Sequence, residues 1–330
     1  MKKCINAGSI EGSYCAGIIA NHNKGNLLIE EAYNTSNITG GYNCGGIVGS
    51  INDQQTINIS RAYNYSKLIV GSNSAGIIGI LQNSENVVIN SCSNLSNGSV
   101  ETRTNDTSVS SIGGIIGYVT NISGNFQIND CKNKGNISSE GYNIGGIIGY
   151  ISYLSKLGSS TNCINSGNIK GDHIVGGIIG YTDNLDFIIS GCKNSGDVNG
   201  IDNDIGGIVG YLGYGITESK SAMINCTNEG KIIAGDKDNP SSKGSMTGGL
   251  LGMAYGEKWR FESCSNSGKI ISYSTSANNI GGAVGFGYFT EDGINGLGST
   301  VKPECPNTEN PICIGQVIGT GYVGGKEVSY

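Results

Sequence analysis

Two histidines, His22 and His173, are the only imidazoles this chain could use as a general base. A Ser-His-Asp or Cys-His site needs an orienting acid against the ring. Asp172 precedes His173, but neighbouring residues of a strand point to opposite faces, so both histidines are expected in solvated turns. Three local carboxylate pairs remain: Asp183 with Asp186, Asp202 with Asp204, and Asp236 with Asp238. A glycosidase needs two carboxyls roughly 5 to 9.5 Å apart across the scissile bond. Each pair sits in polar Gly/Asn-rich sequence, where Asp commonly caps a turn, and turn capping is the expectation. Lyase chemistry usually wants a cation to hold an enolate, and arginine is confined to Arg61, Arg103 and Arg260. Oxygen-rich loops of this kind also suit Ca²⁺, yet neither EF-hand spacing nor a Gly-Gly-x-Gly-x-Asp nonapeptide occurs. Zinc-type CxxC pairs are missing too. The reading is a chain without catalytic residues, metal or cofactor, and not an enzyme. A polysaccharide hydrolase or lyase is the alternative.

Composition says what must position any such residues. Glycine supplies 56 of 330 residues, against a usual share of about 7%. Only 14% of residues are charged, where about 25% is typical. Proline is scarce, at 4 residues, and no G-X-Y period exists, so collagen is excluded. The apolar residues are largely Ile and Val, which favour strands. The net charge is −6 and no basic cluster exists to replace phosphate counterions, which argues against nucleic acid as a partner. No apolar run approaches the roughly 18 residues of a membrane-spanning helix. Met1-Lys2-Lys3 is followed at once by repeat sequence rather than by a signal-peptide h-region. The expectation is a fragment of a longer exported protein, extracellular or on a cell surface.

The repeat itself is plain. A unit of the form C-x-N-x-G-x-I, a variable loop, and G-G-I-I-G-Y recurs about nine times. Its asparagines are Asn6, Asn34, Asn64, Asn94, Asn133, Asn165, Asn194, Asn228 and Asn266, spaced by 28, 30, 30, 39, 32, 29, 34 and 38 residues. A period near 30 with drifting loops marks a solenoid whose insertions fall at turns. The fold class is therefore all-β: a parallel β-helix, or β-solenoid, of about nine repeats over 1–290. Residues 291–330, with Pro303, Pro306 and Pro311, form an irregular C-terminal cap or a degenerate repeat. At about 4.8 Å per rung the rod would be on the order of 40 Å long.

Columns can be compared within the chain. Position one of the unit holds Cys seven times and Ala twice, at Ala32 and Ala62, a small buried stack. Eleven cysteines, including Cys15, Cys44, Cys305 and Cys313 outside that column, are expected to be mostly free thiols, with a disulfide framework as the alternative. The unbroken Asn column is expected to form a ladder that bonds the next rung and its own turn. The Gly-Gly pair is expected to supply positive φ at a corner. The next two positions form apolar columns, Ile18 to Ala283 and Ile19 to Val284. Strand alternation places one of them in the core and the other outside. Tyr118, Tyr150, Tyr181 and Tyr211 follow on four successive repeats. If outward, they make an aromatic stripe that could bind a sugar or a protein.

Gly145-Gly146-Ile147-Ile148-Gly149-Tyr150, after Cys131-Lys132-Asn133-Lys134-Gly135-Asn136-Ile137, resembles GLUG-type repeats of large bacterial surface proteins. That resemblance spans roughly residues 4 to 286. It implies an adhesin-like module or the non-catalytic repeat region of immunoglobulin A protease-like proteins, whose His-Glu-x-x-His zinc motif this chain lacks. The functional expectation is a non-enzymatic, extracellular binding or spacer module for a host or matrix glycan or protein, with self-association through the apolar stripe possible in principle. A phage or viral tail-fibre segment is a further alternative.

Overall fold

The structure, a computed structural model, describes the chain except residues 104–105, 184, 217–219, 242, 276–278, 291–293, 307–313 and 329–330. The described residues contain no helix, and the strands form a β-solenoid of about nine turns, about 32 residues apart. Short apolar runs cannot bury a face alone, so each strand pairs with its equivalent one turn away. Three parallel sheets result, of 25, 9 and 8 strands. In one turn, Ile137–Ser138 joins the nine-stranded sheet and Tyr142–Gly145 the eight-stranded one. Ile148–Ser152, Gly158–Thr161 and Ile164–Asn165 join the long sheet. Register matches like with like: Ile148 faces Ile179, Tyr150 faces Tyr181, and Asn165 faces Asn194.

Most corners are made by left-handed residues other than glycine, with Gly191 taking that place before Cys192. One column precedes the Cys/Ala stack and includes Glu31, Arg61, Ser91, Asp130, Asn162, Asn225 and Ser263. A second runs Asn43, Asn73, Ser111, Asn143, Ile174, Asp204, Met246 and Asn279. Asn and Asp tolerate this conformation, whereas for Ile174 and Met246 it costs roughly 1–2 kcal/mol. The expectation that Gly-Gly supplies positive φ is corrected, because none of those glycines has it. Their role is space. A Cβ on Gly114 would fall 2.5 Å from Cγ of Asn133, and one on Gly177 would fall 2.5 Å from Cγ of Asn194.

That contact forms a waist. On one side the long sheet wraps a core of Ile47, Ile77, Ile115, Phe126, Ile128 and Phe187 with the thiol column. On the other, the two smaller sheets close over Ile38, Leu68, Val100, Ile144, Val175 and Ile205. The asparagine ladder runs between them, in the predicted column. Each Nδ2 donates to the next rung's Oδ1 at 2.7–2.8 Å, unbroken from Asn6 to Asn266. The second Nδ2 proton goes to the carbonyl two residues on, as from Asn165 to Gly167 at 2.9 Å. The buried amides are thus satisfied inside the coil.

The alternation expected for the two apolar columns is overturned. Ile147 and Ile148 are both fully buried, as are Ile77 with Ile78 and Ile178 with Ile179. The amides of Ile147 and Ile148 both donate to the carbonyl of Ile178, at 2.8 and 3.0 Å. The chain bends between them, so consecutive side chains both turn inward. No outward apolar stripe is made by these residues.

All ten described cysteines are free, and eight of them are buried. In the column the thiols donate to carbonyls of the preceding turn, as Cys226 to Ile189 at 3.4 Å and Cys264 to Met223 at 3.2 Å. Cys313 and Pro311 lie outside the described residues. Towards the C-terminus Leu297–Ser299 pairs with Cys264–Asn266, and Ile318–Val323 with Val284–Phe289. Lys326–Val328 then turns back antiparallel on Ile318–Val323.

Candidate functional site: a tyrosine ridge and an acidic corner

After the inward bend, each long-sheet strand carries glycine and then a residue that leaves the core. At that position Tyr118, Tyr150, Tyr181 and Tyr211 come together on four successive turns, all partly exposed. Their rings stack at 5.0, 5.0 and 4.6 Å between centroids. The run does not stop there. Tyr211 meets Tyr255 at 6.0 Å, and Tyr255, Tyr288 and Tyr322 continue at 5.2 Å steps. Seven successive turns thus share one tyrosine ridge. The last three stand two residues further along their strands, opposite Gly213 rather than Tyr211, which is why the repeat motif hides them. The sequence signal was there in Met253-Ala254-Tyr255, Phe286-Gly287-Tyr288 and Thr320-Gly321-Tyr322.

Near-parallel stacking has a chemical consequence. Between Tyr118 and Tyr150 the interplanar angle is 4°, and between Tyr150 and Tyr181 it is 5°. Ring faces are occupied by neighbouring rings, so the ridge presents ring edges and hydroxyls. Burial pushes the Tyr150, Tyr181 and Tyr211 hydroxyls above their ordinary pKa. They therefore remain protonated donors and acceptors at neutral pH.

The second cluster lies at the corner between the nine- and eight-stranded sheets, where Asp172 links Ile169–Gly171 to His173–Gly176, Ile201 to Asp204 link Val198–Gly200 to Ile205–Gly206, and Lys243 comes from the next turn. His173 is not in a simple solvated turn beside Asp172. It is half-buried, and its Nε2 stands 3.8 Å from Oδ2 of Asp204. Register accounts for this, since Val175 pairs with Ile205, and Ile174 and Asp204 hold the same left-handed corner. Asp204 is buried, and its carboxyl is pushed up to about 7, by burial first and then by the charge of Asp202. Burial also lowers His173. Among the described residues, Oδ1 of Asp204 and Nδ1 of His173 are buried without hydrogen-bond partners. Asp202 pairs with Lys243 at 3.2 Å.

The other singled-out groups stay apart. His22 lies on a long-sheet strand near the opposite end of the rod. Asp186 accepts the Ile216 amide at 2.9 Å, and Asp236 accepts that of Asp238 at 2.9 Å. Both carboxylates hold turns. Among the described residues no three metal-ligating side chains converge, and no helix is long and apolar enough to cross a membrane. No family model, curated protein or solved structure matches this chain.

Proposed function

We propose that this chain is a non-enzymatic β-solenoid module of an extracellular surface protein, holding a tyrosine ridge against a glycan or protein. The observation that carries the reading is the ridge itself: tyrosines on seven successive turns, partly exposed, in two stacked runs that meet at the tilted Tyr211–Tyr255 contact. Tyrosine combines apolar area with a polar tip at low entropic cost, which suits it to binding surfaces. The asparagine ladder and parallel pairing keep the spacing of the hydroxyls fixed, so the ridge is preorganised. The resemblance of the repeat to GLUG-type surface proteins agrees with this reading. Binding of the native chain and of a Tyr150→Ala/Tyr181→Ala variant to immobilised glycans and matrix proteins tests it. Loss of binding by a variant that stays folded supports the ridge, and unchanged binding overturns it.

A polysaccharide-cleaving reading has one observation in its favour. Asp204 couples a raised carboxyl pKa to a neighbouring imidazole, as a general acid would require. Release of new chain ends from a polysaccharide, lost in Asp204→Asn, would establish that reading instead.

A further inference from the structure

The outer face of the nine-stranded sheet carries a cleft between Lys170 and Tyr273. There Lys170, Asn199 and Ile233 occupy outward positions on three successive strands, in register. The turn from Asn228 to Asn266 is 38 residues long, and its extra residues leave the sheet at Gly235, whose φ of +78° only glycine adopts cheaply. Gly235, Asp236 and Lys237 wall one side of the space above the sheet. One turn on, Tyr273 closes the end. The space enclosed is a cleft of about 320 Å³, within the range that takes a small ligand.

Its chemistry is selective. Among the described residues neither Lys170 nor Lys237 has a carboxylate partner, whereas nearby Lys243 is held by Asp202. Asp236, on the same wall, accepts the Asp238 amide through Oδ1 and leaves the cleft with two lysines to one carboxylate. In a chain of net charge −6, two unpaired ammonium groups therefore converge on one mixed cleft. Asn199 adds an amide for hydroxyls, and Tyr273 and Ile233 supply apolar surface against which a pyranose ring can lie.

We infer that this cleft binds a carboxylated saccharide, with Lys170 and Lys237 on the carboxylate and Asn199, Ile233 and Tyr273 on the ring. The inference deepens the glycan-binding reading above and rests on it, but uses a different sheet from the tyrosine ridge. Isothermal titration of the full chain with trigalacturonate, maltotriose and a sulfated dextran fragment tests it. Trigalacturonate should bind in a salt-dependent manner, at least ten-fold tighter than maltotriose or the sulfated fragment. Lys170→Ala/Lys237→Ala should weaken it ten-fold or more, and Lys170→Arg/Lys237→Arg should restore much of the affinity. Retention of the native chain on the immobilised glycans and matrix proteins is scored separately, so that a failure of trigalacturonate binding alone is distinguished from a failure of the ridge. No binding, equal affinity for the neutral or sulfated ligand, or an unaffected alanine variant would overturn the assignment.

Discussion

Gly146 rests directly on the side chain of Asn165, so closely that a Cβ on the glycine would stand 2.6 Å from the asparagine Cγ. The same pairing joins Gly46 to Asn64, Gly76 to Asn94, Gly207 to Asn228 and Gly249 to Asn266. It ties the glycine motif to the asparagine column and divides every turn into two cores.

Gly146→Ala should therefore destabilise the rod. Overpacking of a well-filled site typically costs about 1–3 kcal/mol, and here the Cβ would meet the Gly177 carbonyl oxygen at 2.1 Å as well as the laddered amide. Denaturant unfolding of the variant measures the loss, and a stability equal to the native chain would contradict the waist.

Asn165→Ala removes three hydrogen bonds: the one accepted from Asn133 and those donated to Asn194 and Gly167, at 2.7, 2.7 and 2.9 Å. Each buried group left without a partner costs about 1–3 kcal/mol, so a loss of several kcal/mol is expected. Asn6→Ala, at the partly exposed first rung, should cost far less. Equal effects at the two positions would show that the ladder does not distribute the stability as described.

Burial also acts on the thiol of Cys131. Cys131 is held well above the ordinary thiol pKa by desolvation first, with the neighbouring Cys163 and Cys92 adding to it. Native protein should leave the buried column unreactive to a thiol reagent, with all of it labelled after unfolding. Cys163→Ala should be tolerated, because Ala32 and Ala62 hold the same column, whereas Cys163→Asp should not. Rapid labelling of Cys163 in native protein would contradict the dry core.

Asp204 makes stability depend on pH. Its folded pKa, about 7, lies above that of the unfolded chain. Its contribution is therefore complete below the unfolded value and is lost as pH rises through about 7. By pH 8 the charged carboxyl costs on the order of 4 kcal/mol. His173, lowered by burial, acts in the opposite sense: its neutral form favours folding and protonation on acidification works against it. Asp172, Asp202 and Lys243 share the corner. Asp204→Asn should raise the unfolding temperature at pH 8 and change it much less at pH 5. Equal shifts at both pH values would contradict the buried neutral acid.

Much of this was legible because a repeat reports itself. The period, the asparagine column and the small-residue stack each recur often enough to identify a rung, a ladder and a core. What stayed hidden depended on the path of the backbone between columns. Ile147 and Ile148 read as alternating faces until a corner is known to fall between them. Gly-Gly reads as a conformational need until Asn165 is seen against it. Tyr255, Tyr288 and Tyr322 fall out of the motif by two residues, yet the stack crosses to them through Tyr211. His173 and Asp204, thirty-one positions apart in sequence, meet because adjacent turns place equivalent loops side by side.

Incubation of the full chain with a panel of polysaccharides, scoring both retention and release of new chain ends, tests the central claim most directly. A binding module should be retained on at least one glycan without releasing ends, and Tyr150→Ala/Tyr181→Ala should reduce that retention. New chain ends, or retention indifferent to the tyrosines, would contradict a non-enzymatic module that binds through its ridge.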